Sequence, residues 1–107
     1  MKESAVQRTI IDYLERMGFI VIRTNAGRIY HKGHMIRLAA KGTSDLVACS
    51  PEGRFWALEV KAGAPVKQEQ LDFLEKIRSK GGVAEIVRGI KDVRAVIKEM
   101  AHPIISG

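Results

Sequence analysis

The chain has 107 residues, of which 46% are hydrophobic and 28% charged, the size and apolar content of one globular domain rather than of a disordered or fibrous segment. Apolar runs such as Phe19 to Ile22 are far too short to cross a bilayer, and Met1-Lys2-Glu3-Ser4 lacks the apolar stretch of a signal peptide, so a soluble, cytoplasmic protein with no membrane partner is expected. A chain of this length supports one core and little more, which makes dimerisation an expected source of further burial.

The formal charge of +6 is unevenly placed. From Arg16 to Ser44 there is no Asp or Glu, while Arg16, Arg23, Arg28, Lys32, Arg37 and Lys41 supply six cations; elsewhere basic and acidic residues balance. Positive charge concentrated without acidic neighbours is the footprint of a phosphate-backbone binder, and a generic solubilising surface is the competing explanation.

In chain order, Val6, Ile10, Tyr13, Leu14 and Met17 recur at helical spacing and Gly18 follows, which predicts an amphipathic helix over residues 3–17. Phe19 to Arg23 predicts a buried strand, ended by the turn signal Thr24-Asn25-Ala26-Gly27. Arg28 to Leu38, interrupted by Gly33, reads as a basic hairpin or loop. Leu46 to Cys49 and Phe55 to Val60 are strand-like runs joined by Ser50-Pro51-Glu52-Gly53, a hairpin signal. Both are mostly apolar on both faces, as in a helix-covered sheet, and Cys49, the lone cysteine, is expected to be a buried free thiol without chemistry. A helix starting near Pro65 or Val66 carries Leu71, Phe73, Leu74 and Ile77 before Gly81-Gly82; Val83 to Val87 is a strand; a last helix begins near Ile90 and carries Val93, Val96, Ile97 and Met100, with Pro103 at its end. This order predicts an α/β fold, a sheet flanked by helices.

A hairpin symmetric about Glu52 sets Val47 opposite Ala57, Cys49 opposite Phe55, and Asp45 opposite Glu59. Directly opposed residues have Cβ atoms about 4.5–5.5 Å apart, and like charges there repel. A hard divalent cation, Mg²⁺ or Mn²⁺, offsets that repulsion. Lys61 shares a face with Glu59 by the two-residue period, while Val60 points away and offers its carbonyl. Such a group suits phosphodiester hydrolysis, although spacing alone equally admits a structural ion pair among the three charges. Two polar residues on apolar helix stripes add weight: Gln70 precedes Phe73, Leu74 and Ile77, and Glu3 precedes Val6 and Ile10.

These residues resemble the PD-(D/E)XK nuclease superfamily and, within it, the VRR-NUC family. The likeness lies in Glu3, Arg23-Thr24-Asn25-Ala26-Gly27, Gly42-Thr43-Ser44-Asp45, Glu59-Val60-Lys61, and Gln70 with Gly81-Gly82 behind it, so it spans nearly the whole chain. Ser44 stands where the superfamily label has Pro. The resemblance implies a restriction-endonuclease-like core with a mixed β-sheet, divalent metal held by Asp45, Glu59 and the Val60 carbonyl, Lys61 as the catalytic lysine, and Glu3 and Gln70 in support. It also implies a homodimer acting on branched DNA such as four-way junctions. Arg23, Asn25, Arg28, Lys32, Arg37 and Lys41 are the expected nucleic-acid contacts, while His31 and His34 are read as solvated. The alternative is a non-catalytic nucleic-acid-binding module that keeps the fold and the basic segment.

Overall fold

The computed structural model describes residues 2–24, 28–37 and 42–101. Three helices, α1 (Glu3–Arg16), α2 (Gln68–Ser79) and α3 (Ile90–Ala101), accompany six strands: β1 (Ile20–Arg23), β2 (Arg28–His31), β3 (His34–Arg37), β4 (Leu46–Cys49), β5 (Phe55–Val60) and β6 (Val83–Val87). The chain is therefore α/β in the expected order, and the basic segment is a hairpin. None of the described helices is long and apolar enough to cross a membrane.

The main sheet has the order β1-β4-β5-β6, and β2-β3 form a separate two-stranded sheet. β1 and β5 both run antiparallel to β4, whereas β5 and β6 are parallel. That mixture follows from the connections. Ser50 to Arg54 is a tight turn in which the Ser50 hydroxyl accepts the Arg54 amide (3.0 Å) and the Ser50 carbonyl accepts the Gly53 amide (2.8 Å), so β5 must return antiparallel. β6 follows the α2 crossover, the connection that a parallel neighbour needs.

Each face of the sheet has its own core. Leu46, Ala48, Trp56, Leu58, Val60, Val83 and Val87 meet Val6, Ile10, Leu14 and Val93 from α1 and α3 on one side. Phe19 joins them through an edge-to-face contact with Trp56, ring centroids 5.0 Å apart at 85°. On the other side Ala57 and Ala84 lie under Leu74, with Phe73, Ile77 and Ile86 around them. Leu74 is the fully buried side chain of α2. Leu74→Ala should cost about 2–5 kcal/mol, a large share of the roughly 5–15 kcal/mol of a typical domain, read as a fall in the urea midpoint at constant slope.

The expectation of a buried first strand is corrected. β1 lies at the sheet edge, and Ile20 and Ile22 are 70% and 58% exposed. Only Val21 turns towards the α1 core, because α2 lies over β5 and β6 and leaves the same face of β1 and β4 uncovered. Cys49 is corrected for the same reason: paired with Ile20 and Phe55 on that uncovered face, its thiol is exposed.

Candidate active site

The hairpin register is the one its turn dictates: Leu46 faces Leu58, Val47 faces Ala57 and Cys49 faces Phe55. One step past the ladder, Asp45 stands beside the end of β5, where its Oδ2 accepts the Val60 amide at 2.8 Å. This bond fixes the Asp45 carboxylate against the neighbouring Glu59. The segment before it is pinned as well. The Thr24 hydroxyl donates to the Ser44 carbonyl at 2.6 Å, the Thr24 amide donates to the Asp45 carbonyl at 3.0 Å, and the buried Ser44 hydroxyl donates to the Leu46 carbonyl at 2.9 Å. Thr24 and Ser44 thus hold the backbone around Asp45, a part that their sequence positions did not mark out. A polar β-branched residue directly after a strand was the signal available for Thr24.

Glu59 is 1% exposed and Lys61 7%. The Lys61 Nζ lies 3.8 Å from Glu59 Oε1, and the Lys61 amide donates to the Val87 carbonyl, which holds the lysine on the continuation of β5 beside β6. Gln70 completes the group. Its Nε2 donates to Glu59 Oε1 at 3.0 Å while its own Oε1 accepts the Lys67 amide at 2.9 Å. Gln70 thus occupies the third position of α2, where a side-chain oxygen reaching back to the N-cap amide is a capping-box arrangement. With the oxygen committed to the cap, the NH₂ is left to aim at Glu59. Gln70→Ala should remove the cap, at about 1 kcal/mol, and release the Glu59 carboxyl; with Glu59 as the expected metal ligand, calorimetric titration with Mn²⁺ should then show a roughly 10–100-fold fall in affinity, of the order seen when a partner of a metal ligand is lost.

Electrostatics mark Glu59 out. Burial, then the adjacent Asp45 charge, push its carboxyl from 4.5 up to about 8, against the opposing pull of Lys61. Its Oε2 is buried and has no hydrogen-bond partner. A buried, partnerless carboxylate oxygen next to a second carboxylate is costly unless a proton or a cation shares the space. The donor set therefore fits a hard divalent ion. No group of three or more His, Cys, Asp or Glu side chains that could hold a metal occurs among the described residues, so the side-chain ligands would be the two carboxylates, a number in keeping with Mg²⁺ sites.

The remaining expected residues are more dispersed. Glu3 is half-buried in the first turn of α1 and makes no hydrogen bond or ion pair with Asp45, Glu59 or Lys61. Arg23 ends β1, exposed and paired with Leu46. Arg28 and Arg37 are backbone partners in the β2-β3 hairpin, as are His31 and His34, and Lys32 is exposed at its turn with φ +51°. Asn25 and Lys41 lie outside the described residues.

The mixed sheet between helices, with an Asp at the head of one strand and Glu-x-Lys closing the next, is an α/β fold of the restriction-endonuclease-like class, a nuclease-like domain by its structural match. Within it the chain is similar to a solved structure described as a VRR_NUC domain, with a TM-score of 0.65 and 25% sequence identity over 91% of this chain and 95% of the other. This match along nearly the full length of both chains supports the VRR-NUC family. No protein-family model and no curated protein matches the sequence.

Proposed function

We propose that the protein is a divalent-metal-dependent endonuclease that hydrolyses DNA phosphodiester bonds, selective for branched DNA such as four-way junctions and working as a homodimer. The observation that carries this reading is the buried Glu59 next to the half-buried Asp45, with Lys61 beside it and one Glu59 oxygen left without a partner. Asp45, Glu59 and the Val60 carbonyl would hold Mg²⁺ or Mn²⁺. When bound, the ion would supply Lewis-acid polarisation of the phosphoryl group and acidify the attacking water.

The side chains provide the rest. Lys61, held beside Glu59, places a cation where negative charge grows on the phosphoryl oxygens, or orients and deprotonates the water. Gln70 keeps the Glu59 carboxyl in one rotamer, and the Val60 amide does the same for Asp45. Glu3 supports the site from α1, and the phosphate backbone is engaged by Arg23, Asn25, Arg28, Lys32, Arg37 and Lys41. A two-fold arrangement would present two basic surfaces to two strands of a junction. A purely binding module would gain nothing from opposing two carboxylates near phosphate, which is why the catalytic reading is preferred.

The test is cleavage of labelled linear, flap and four-way-junction DNA by the purified chain in Mg²⁺ or Mn²⁺, beside Asp45→Asn and Lys61→Ala. Metal-dependent cutting of the junction by the wild type, lost in both variants while binding persists, is expected. Binding without cutting would leave the non-catalytic module, and cutting unaffected by either substitution would remove the proposed site.

A further inference from the structure

An open cleft of about 410 Å³ lies between the first turns of α1 and the end of β1, lined by Ser4, Ala5, Arg8, Thr9 and Arg23. Arg8 lies outside the acid-free window and was not singled out by its sequence position. Because Val6, Ile10 and Leu14 turn into the core, Arg8 is left on the outer side of α1, one turn beyond Ser4. Arg23 approaches from a different element. Two arginines therefore line one cleft, and neither is ion-paired with a described residue. Asp12 stands four residues from Arg8, a spacing that permits a pair, yet none forms.

Like charges gathered without a carboxylate favour an anion between them, and arginine suits an oxyanion with several acceptor oxygens. The hydroxyls sort themselves accordingly. Thr9 already donates its hydrogen to the Ala5 carbonyl at 2.9 Å, whereas the Ser4 hydroxyl has no partner among the described residues and can donate into the cleft. The position of the cleft relates it to the carboxylates. Arg23 pairs with Leu46, and the next residue, Thr24, binds the carbonyl of Asp45. Asp45 and Glu59 are absent from the lining, so an anion here would not be the group under attack.

We infer that Arg8, Arg23 and Ser4 form a subsite for a non-scissile backbone phosphate of the nucleic acid, with Arg8 as a positioning residue. The inference rests on the nuclease reading for its substrate but not on turnover for its test. Anisotropy titration of labelled duplex and junction DNA in EDTA measures binding by the full chain without cleavage. Each phosphate contact contributes about 0.9 to the slope of log K against log salt on duplex DNA. Arg8→Ala and Arg23→Ala should each reduce that slope by about this amount and weaken binding uniformly across sequences. Arg8→Lys should keep most of the slope, and Arg94→Ala, exposed on α3, should leave it unchanged. In cleavage assays Arg8→Ala should raise the half-saturating DNA concentration and spare the rate at saturation. Inorganic phosphate added at constant ionic strength should compete poorly; strong competition that vanishes in Arg8→Ala would make the cleft a site for free phosphate and overturn the backbone assignment. An unchanged salt slope in Arg8→Ala would also overturn it, whatever the wild type cleaves. A wild type that binds with the Arg8-dependent slope yet never cuts would instead retain the subsite and remove the nuclease reading.

Discussion

Glu59→Gln should abolish the proposed metal-dependent cleavage, by at least about 10²-fold since a ligand to the ion would supply several kcal/mol of transition-state stabilisation, and it should also make the metal-free protein more stable at alkaline pH. The two effects have one cause. The folded chain holds the Glu59 proton up to about pH 8, whereas the unfolded chain releases it near 4.5, so between these values the native state binds more protons. The stabilisation that this proton provides is fully present below 4.5, declines as pH rises and is lost above about 8. A melting series without metal should therefore show the wild-type midpoint falling from pH 5 to pH 9, with Glu59→Gln flatter and higher at the alkaline end. For a domain of this size each 1 kcal/mol is worth about 4–8 °C in Tm. Added Mg²⁺ or Mn²⁺ should reverse the trend for the wild type alone, because a cation binds the ionised pair and competes with the proton. Coincident pH profiles for the two proteins would show that Glu59 does not carry the buried proton.

The second large effect is expected at Gly42, far from the reacting groups in chemistry but next to them in the backbone. Gly42 has φ +87°, and a Cβ added there would lie 2.4 Å from the Glu69 carbonyl oxygen and 2.9 Å from its carbon. Neither atom can rotate away, since both belong to the first turn of α2. The backbone conformation alone costs an L-residue roughly 1–2 kcal/mol, and the clash brings the expected loss for Gly42→Ala to about 2–4 kcal/mol. Relief must come from separating the Gly42–Asp45 segment from α2, and Gln70 directly follows Glu69. Activity should then fall further than the unfolded fraction accounts for, measured at a temperature where circular dichroism shows the variant folded. Gly53→Ala is the control: its φ is +85° with nothing within 4 Å, so it incurs the backbone cost in the turn and leaves cleavage intact. Equal activity losses in the two variants would refute a contact-specific role for Gly42.

Much of the candidate site was legible before the fold. The turn Ser50 to Gly53 sets the hairpin register, and a two-residue side-chain period then places Asp45, Glu59 and Lys61 together, with no knowledge of the rest of the chain required. Gln70 was legible for a similar reason, since helical periodicity sets a polar residue on the stripe that meets the sheet, and its amide does reach Glu59. Such conclusions depend only on local geometry propagated over a few residues.

The tertiary structure decided what depends on which surfaces are covered. An apolar strand reads the same whether central or at an edge; the exposure of Ile20, Ile22 and Cys49 follows from α2 lying over β5 and β6 alone. The Gly42–Glu69 approach and the gathering of Arg8 with Arg23 join residues far apart in the chain, which no periodicity encodes. The depth of Glu59 is the same kind of fact. Sequence set its carboxylate opposite Asp45, but only burial on β5 and the Gln70 amide from α2 left one oxygen without a partner and drove its proton affinity up, the features on which the proposed cation site rests.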